Sequence, residues 1–167
     1  MFKKINYLFV TMLGIGSLSR IPGSIASLAT TIILFIFFNF FNFSPNVILF
    51  FIILIFFISI YAINKFIEGK ENKDPKEVVI DELIGQSIPI CLYEVAHTQP
   101  KEVNEVLTTY FLMFILFRVF DITKPYPVSY YDKNFKNGFG VIMDDVCAGF
   151  YVVLSLICFM VLTTYLI

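Results

Sequence analysis

Five acidic residues lie in three short motifs that are far apart in a chain of 167 residues. They are Asp81, Glu82, Asp121, Asp144 and Asp145. Each motif borders an apolar stretch, where a carboxylate is costly unless it is paired or binds a cation. Carboxylate oxygens are ligands of hard divalent ions, and the chain has one histidine, so magnesium or manganese is favoured over zinc. The motifs predict an acidic centre that binds a divalent cation.

Groups that could bind a phosphate lie in or beside the same motifs. Arg118 and Lys124 flank Asp121, and glycine-rich segments that include Gly23 and Ser24 offer backbone amides as further donors. Gln86 follows Glu82 by four positions and is predicted on the same side of a helix. With a cation neutralising the acids, these residues predict a site for a phosphoryl group.

Small residues follow three of the acids at helical spacing. The pairs are Asp81 with Gly85, Asp144 with Ala148, and Asp145 with Gly149. A small residue one turn from an acid allows a neighbouring helix to come close, which is what a site built from several helices needs. We therefore expect the acidic motifs to meet at helix crossings.

The composition predicts that the elements carrying these motifs lie in a membrane. Hydrophobic residues make up 58% of the chain, charged residues 15%, and there are 21 phenylalanines. One soluble domain of this length cannot bury so much apolar surface. The net charge of -1 argues against a nucleic-acid partner, which requires a clustered basic excess.

Hydropathy divides the chain into five helical segments of one domain, residues 1–167. The segments are 26–43, 47–63, 78–96, 106–123 and 143–167. The first four predict two helical hairpins and the fifth a long C-terminal helix, giving an all-α membrane bundle. The third segment is interrupted by Gly85 and Pro89. Because the third and fourth segments are shorter and more polar than the others, they either span the membrane or are re-entrant or interfacial. Residues 64–77 are predicted to form a solvated loop.

Basic residues orient this bundle. They lie at the amino terminus, in residues 64–77 and in residues 118–136, whereas the turn at 42–46 has none. The positive-inside rule predicts that all of the acidic motifs face the cytoplasm. Intramembrane acids also occur in small cation transporters or channel subunits, and in non-catalytic subunits that use them for helix pairing. Acids gathered at one face beside two basic residues suit an anion better than a cation path.

Three motifs resemble those of the phosphatidylglycerophosphatase A family, bacterial membrane enzymes that convert phosphatidylglycerophosphate to phosphatidylglycerol. They are residues 80–86 (IDELIGQ), 117–127 (FRVFDITKPYP) and 140–149 (GVIMDDVCAG). The resemblance implies an all-helical bundle in the bacterial inner membrane, Mg²⁺-dependent hydrolysis of a phosphomonoester in phospholipid biosynthesis, and the five acids as catalytic and metal-binding residues.

Overall fold

The computed structural model describes residues 2–18, 20–97 and 102–166, and within these ranges the regular elements are all helical. A 3₁₀ turn at Ile15–Ser17 follows the first helix. The α-helices are α1 (Phe2–Val10), α2 (Pro22–Asn39), α3 (Pro45–Ile67), α4 (Ile80–Ala96), α5 (Val103–Thr123), α6 (Val128–Asn134) and α7 (Gly138–Leu166). The predicted all-α class is confirmed.

Among the described residues, four helices are long and apolar enough to cross a membrane. They are α2, α3, α5 and residues Gly138–Tyr165 of α7. Their outer faces expose large side chains such as Phe50, Phe111 and Phe159, as expected of surfaces that contact lipid. Of the two segments predicted to span or to be re-entrant, α5 meets the criteria for a span, whereas α4 is not among the four.

The centre of the bundle is α4, which packs against α2, α3, α5 and α7. Its side chains Ile84, Ile90 and Cys91 are almost completely buried. In the described residues α2 and α3, although joined by a short turn, pack chiefly on α4 instead of on each other. The most polar of the long helices is therefore surrounded by the more apolar ones, which shield its acidic first turn.

The closest helix crossing, between α4 and α7, depends on two glycines that the acid-to-small spacing singled out. A Cβ on Gly85 would lie 2.7 Å from the carbonyl oxygen of Asp145 and 2.8 Å from the ring of Phe117. A Cβ on Gly149 would collide with the carbonyl oxygen of Gly85. The prediction that small residues bring the acid-bearing helices together is confirmed at this crossing.

The helices differ from the hydropathy-based segments in several features. First, α4 continues through Gly85 and Pro89, because packing on several sides outweighs the hydrogen bond lost at an internal proline. Second, α1 and α6 lie outside the five predicted segments. Third, α7 begins at Gly138, where the side chains of Asn64 and Asn137 accept hydrogen bonds from its first amides, at 2.8 and 3.0 Å.

Candidate active site

A cavity of about 300 Å³ lies where α2, α4 and α7 begin and α5 ends. It is lined by every predicted site residue except Gln86: Gly23, Ser24, Asp81, Glu82, Arg118, Asp121, Lys124, Asp144 and Asp145. Four separate stretches of sequence thus contribute to one space. The structure brings the predicted residues together as the sequence-based topology requires.

Arg118 is the centre of the more buried half of the cavity. Its Nη1 donates to Glu82 Oε2 at 2.7 Å and forms an ion pair with Asp121 Oδ2 at 2.9 Å. Ser27 Oγ, one turn into α2, donates to Glu82 Oε2 at 2.8 Å. Gly23 makes this contact possible, because a side chain there would collide with the Glu82 carboxylate. The start of α2 is therefore packed directly on the acidic first turn of α4.

A third acid, Asp145 on α7, lies beside Arg118, Glu82 and Asp121, which we call the Arg118 cluster. Carboxylate oxygens of Glu82, Asp121 and Asp145 all lie within 4.8 Å of one another. Asp145 and Asp81 are 4% and 7% exposed, yet neither forms an ion pair among residues 2–18, 20–97 and 102–166. Buried carboxylates without a basic partner are unfavourable by several kcal/mol each, so the cluster has a surplus of negative charge.

The first turn of α4 lies outside the four candidate spans, and its two carboxyls have raised pKa values. Burial raises the pKa of Asp81 well above its usual range, and the neighbouring charges of Glu82, Asp74 and Asp144 raise it further. Burial raises the pKa of Glu82 to about 7, helped by Asp121 and opposed by Arg118 and Ser27. Both shifts have the same physical cause, which is carboxylates crowded in a poorly solvated space.

Lys124 is the centre of the more exposed half. Its backbone is left-handed, with φ of 44°, and it ends α5 just before Pro125, where we predicted the helix to end. Its Nζ donates to Asp132 Oδ1 on α6 at 2.6 Å and to Asp144 Oδ2 on α7 at 2.9 Å. The left-handed conformation is uncommon outside glycine and is found at sites where geometry is constrained. It ends α5 at the point where the lysine reaches both neighbouring helices.

Gln86 is placed away from the cavity. It is fully buried, and neither its Oε1 nor its Nε2 has a hydrogen-bond partner in the part of the chain that the structure describes. The four-residue spacing predicts its side of α4 but not its depth, and one helical turn displaces it by about 5 Å along the axis. Of α4, only the first turn lines the cavity, so Gln86 does not join the predicted cluster.

Four further residues at the site were not predicted. Ser27 follows Gly23 by four positions, so helical spacing held a signal that we did not use. Asp74 and Lys76 line the cavity from the loop of residues 64–77 that we expected to be only a solvated connection. Asp132 lies in α6, and no pattern in residues 124–137 indicates that this helix folds back onto Lys124.

The donor set fits a hard divalent cation. Glu82, Asp121 and Asp145 offer only oxygen atoms, from three different helices, and Asp145 has no basic partner in the described ranges. Oxygen-only sites of this charge bind magnesium, manganese or calcium rather than zinc or copper. The observation supports a divalent metal at this position without selecting among those ions.

The fold and the site define a class, namely a helical bundle with candidate membrane spans and an acidic cavity at one end. The model of the family described as Phosphatidylglycerophosphatase A matches residues 8–160. The chain belongs to the phosphatidylglycerophosphatase A family.

Individual relatives agree with this assignment. A phosphatidylglycerophosphatase A of Haemophilus influenzae is 31% identical over 89% of the chain and 84% of its own length. The Escherichia coli protein of the same name is 27% identical over 55% of the chain and 48% of its own length. A putative phosphatidylinositol-3-phosphatase of Bacteroides thetaiotaomicron is 42% identical over 60% of the chain and 57% of its own length. No solved structure matches the chain.

Proposed function

We propose that this enzyme hydrolyses the phosphomonoester of phosphatidylglycerophosphate to give phosphatidylglycerol, with Mg²⁺ as its cofactor, in glycerophospholipid biosynthesis. The observation that carries the proposal is the cavity in which three carboxylates lie within 4.8 Å of one another beside Arg118. A phosphomonoester dianion cannot approach so many acids unless a cation neutralises them. Charge balance therefore joins the metal and the substrate in one site.

The five acids form the catalytic and metal-binding centre in this proposal. Glu82, Asp121 and Asp145 would hold the ion, with Asp81 and Asp144 beside them in the cavity wall. When bound, the ion would supply Lewis-acid polarisation of the phosphoryl group and stabilise the charge that develops on its oxygen atoms. The buried helix ends exclude bulk water, which strengthens each electrostatic contact inside the cavity.

Donors for the phosphate come from Arg118, Lys124 and the start of α2. Arg118 uses only Nη1 for its carboxylate contacts, and its buried Nε has no partner among the described residues. The guanidinium thus keeps donors that can bind phosphoryl oxygens in a fixed planar arrangement. Gly23 and Ser24, at the first turn of α2, add backbone amides at the positive end of a helix. Gln86 has at most an indirect role, since it does not line the cavity.

Lys76 extends this set toward the mouth of the cavity. It is exposed, lines the cavity, and forms no ion pair within the described part of the chain. Phosphatidylglycerophosphate has a phosphodiester one glycerol away from the phosphomonoester. We assign Lys76 to that second phosphate, which leaves Arg118 and Lys124 for the group that is hydrolysed.

The cavity is proposed to open on the cytoplasmic side of a bacterial inner membrane. At the same end of the bundle lie the charged loop of residues 64–77 and the lysines of α6 and its flanks. Such an excess of basic residues in short connections favours the cytoplasmic side. A lipid in the inner leaflet could then present its headgroup directly to the cavity.

Phosphatidylinositol 3-phosphate is the second candidate substrate, and the relative in Bacteroides thetaiotaomicron is the observation in its favour. It also has a phosphodiester and a phosphomonoester on one polyol headgroup, so the same donors could bind it. A cation path is not favoured, because the acids surround one cavity instead of lying at successive depths. The two lipids differ in the size of the headgroup that the cavity must hold.

Phosphate release from lipid vesicles tests the proposal. The purified protein is supplied with phosphatidylglycerophosphate, phosphatidylinositol 3-phosphate or phosphatidic acid, each with Mg²⁺ or with EDTA. We expect fastest release from phosphatidylglycerophosphate, and none with EDTA. Faster release from the inositol lipid would select the second candidate, and activity that persists after exhaustive chelation would contradict the metal centre.

A further inference from the structure

A groove on the α1 side of α3 combines apolar and basic surfaces. Its apolar part, of about 500 Å³, lies between α1 and α3 and includes Phe2, Phe9 and Ile58. Its walls are fixed by Asn6, which donates to the carbonyl oxygen of Ala62 at 3.0 Å. We call this space the apolar groove. It lies along the last turns of α3, a candidate span, where the acyl chains of a bilayer would join their headgroups.

A basic pocket of about 350 Å³ continues the apolar groove. The two share Tyr61, Lys65 and Glu68, and the basic pocket adds Lys73 and Lys136. Lys73 and Lys136 donate to backbone carbonyl oxygens, at 3.4 and 2.7 Å. Glu68, paired with Lys65 at 2.9 Å, is the one carboxylate in the lining. Three ammonium groups against one carboxylate leave the pocket positively charged.

We propose that this groove binds one anionic phospholipid of the bilayer, with an acyl chain in the apolar groove and the phosphate in the basic pocket. Apolar surface beside a pocket lined by more lysines than carboxylates is complementary to that amphipathic shape and charge. A zwitterionic lipid would satisfy the apolar part but would bring its own cation to the lysines. The occupant is therefore selected by headgroup charge.

The bound lipid is distinct from the substrate. A small cavity of about 10 Å³ lies between the basic pocket and the active site. Lys73 and Lys136 line both this cavity and the basic pocket, and Asp74 and Asp144 line both this cavity and the active site. This space holds about one water molecule, so a headgroup does not pass through it. The lipid would instead hold α1 and the loop of residues 68–77 against α3.

A tryptophan placed in the groove can report the neighbouring lipid, because the chain has no tryptophan of its own. Tyr61→Trp is reconstituted in phosphatidylcholine vesicles with an equal, fixed fraction of brominated phosphatidylglycerol or brominated phosphatidylcholine, and fluorescence quenching is measured. Ile115→Trp, at an exposed position of α5 at a similar distance from its helix end, is the matched control.

From the quenching of Tyr61→Trp we expect phosphatidylglycerol to be about fivefold or more enriched beside the tryptophan relative to phosphatidylcholine. Each lysine near the membrane surface contributes roughly that factor to the binding of an anionic lipid. The preference should fall to the control value in a Lys73→Gln, Lys136→Gln background. Equal preferences at positions 61 and 115 in the unaltered background would overturn the site, whether or not the double variant folds. A preference at position 61 that survives loss of both lysines would overturn the assigned phosphate contacts.

Discussion

Arg118 and Lys124, two of the cations that line the active-site cavity, each pair with two carboxylates, but their surroundings differ. The Arg118 side chain is 15% exposed, and its partners Glu82 and Asp121 are 11% and 15% exposed. The Lys124 side chain is 28% exposed, and its partners Asp132 and Asp144 are 30% and 8% exposed. A third acid, Asp145, has a carboxylate oxygen within 4.8 Å of oxygens of Glu82 and Asp121. Three carboxylates thus surround Arg118 and two surround Lys124, so the surplus of negative charge is larger around Arg118.

This difference assigns different tasks to the two halves. Burying ion pairs that have a surplus of negative charge lowers the stability of the fold, and a cation that binds there offsets this cost. Ion pairs that are partly exposed and have a smaller charge surplus cost less free energy and contribute little to stability. We infer that the Arg118 cluster performs the chemistry. Lys124 with Asp132 and Asp144, which we call the Lys124 cluster, positions the headgroup. The expected losses on mutation should fall in that order.

Asp145→Asn should give the largest loss. It removes the acid that has no basic partner in the described ranges, and with it the surplus charge that binds the ion. We expect kcat to fall roughly a thousandfold or more, measured as phosphate release with Mg²⁺. Asp81→Asn should have a loss of similar order if its carboxylate acts in the same centre.

The fold of these variants can be checked separately. Thermal unfolding of Asp145→Asn in EDTA should match or exceed that of the unaltered protein, because a buried charge has been removed, whereas the stabilisation by Mg²⁺ should shrink. Glu105→Gln, an exposed acid on α5, and His97→Ala are the controls and should stay within about twofold in activity. Full activity in Asp145→Asn would remove the acidic centre from the mechanism.

Arg118→Lys should give the second largest loss. Lysine keeps the positive charge but loses the planar set of donors that can serve two carboxylates and a phosphate together. We expect a fall of about a hundredfold in kcat/KM. The reciprocal exchange, Lys124→Arg, retains a cation with more donors and should lose only severalfold. Equal losses in the two exchanges would show that the halves of the cavity do not differ as inferred.

The contrast also explains what the sequence could reveal. Acids near the ends of helices that hydropathy predicts, such as Asp81 and Asp145, were predictable because hydropathy places those helix ends at one face and Gly85 and Gly149 indicate the crossing. Asp132 was not, because α6 is short, lies between proline-containing and polar segments, and has no apolar periodicity. The depth of Gln86 was also out of reach, since helical spacing defines direction around the axis but not which turn lines a cavity.

Asp132→Asn tests the positioning role of the Lys124 cluster. Losing one of its two carboxylates should let the lysine move toward Asp144 and weaken its contact with substrate, raising KM about tenfold with little change in kcat. In a Lys124→Gln background the same substitution should have almost no further effect, because the residue acts through the lysine. Additive losses in this double-mutant cycle would mean that Asp132 contacts the substrate itself.

Lys76→Ala should give the smallest loss, and it separates the two phosphates of the headgroup. A single exposed ammonium contributes up to about 1 kcal/mol, so KM for phosphatidylglycerophosphate should rise about fivefold at most. Phosphatidic acid has a phosphomonoester but no phosphodiester, and its KM should not change. Lys133→Ala, which removes an exposed charge on α6 outside the cavity lining, is the matched control. A similar rise for both lipids would place Lys76 at the phosphomonoester and would extend the Arg118 and Lys124 clusters to a third cation.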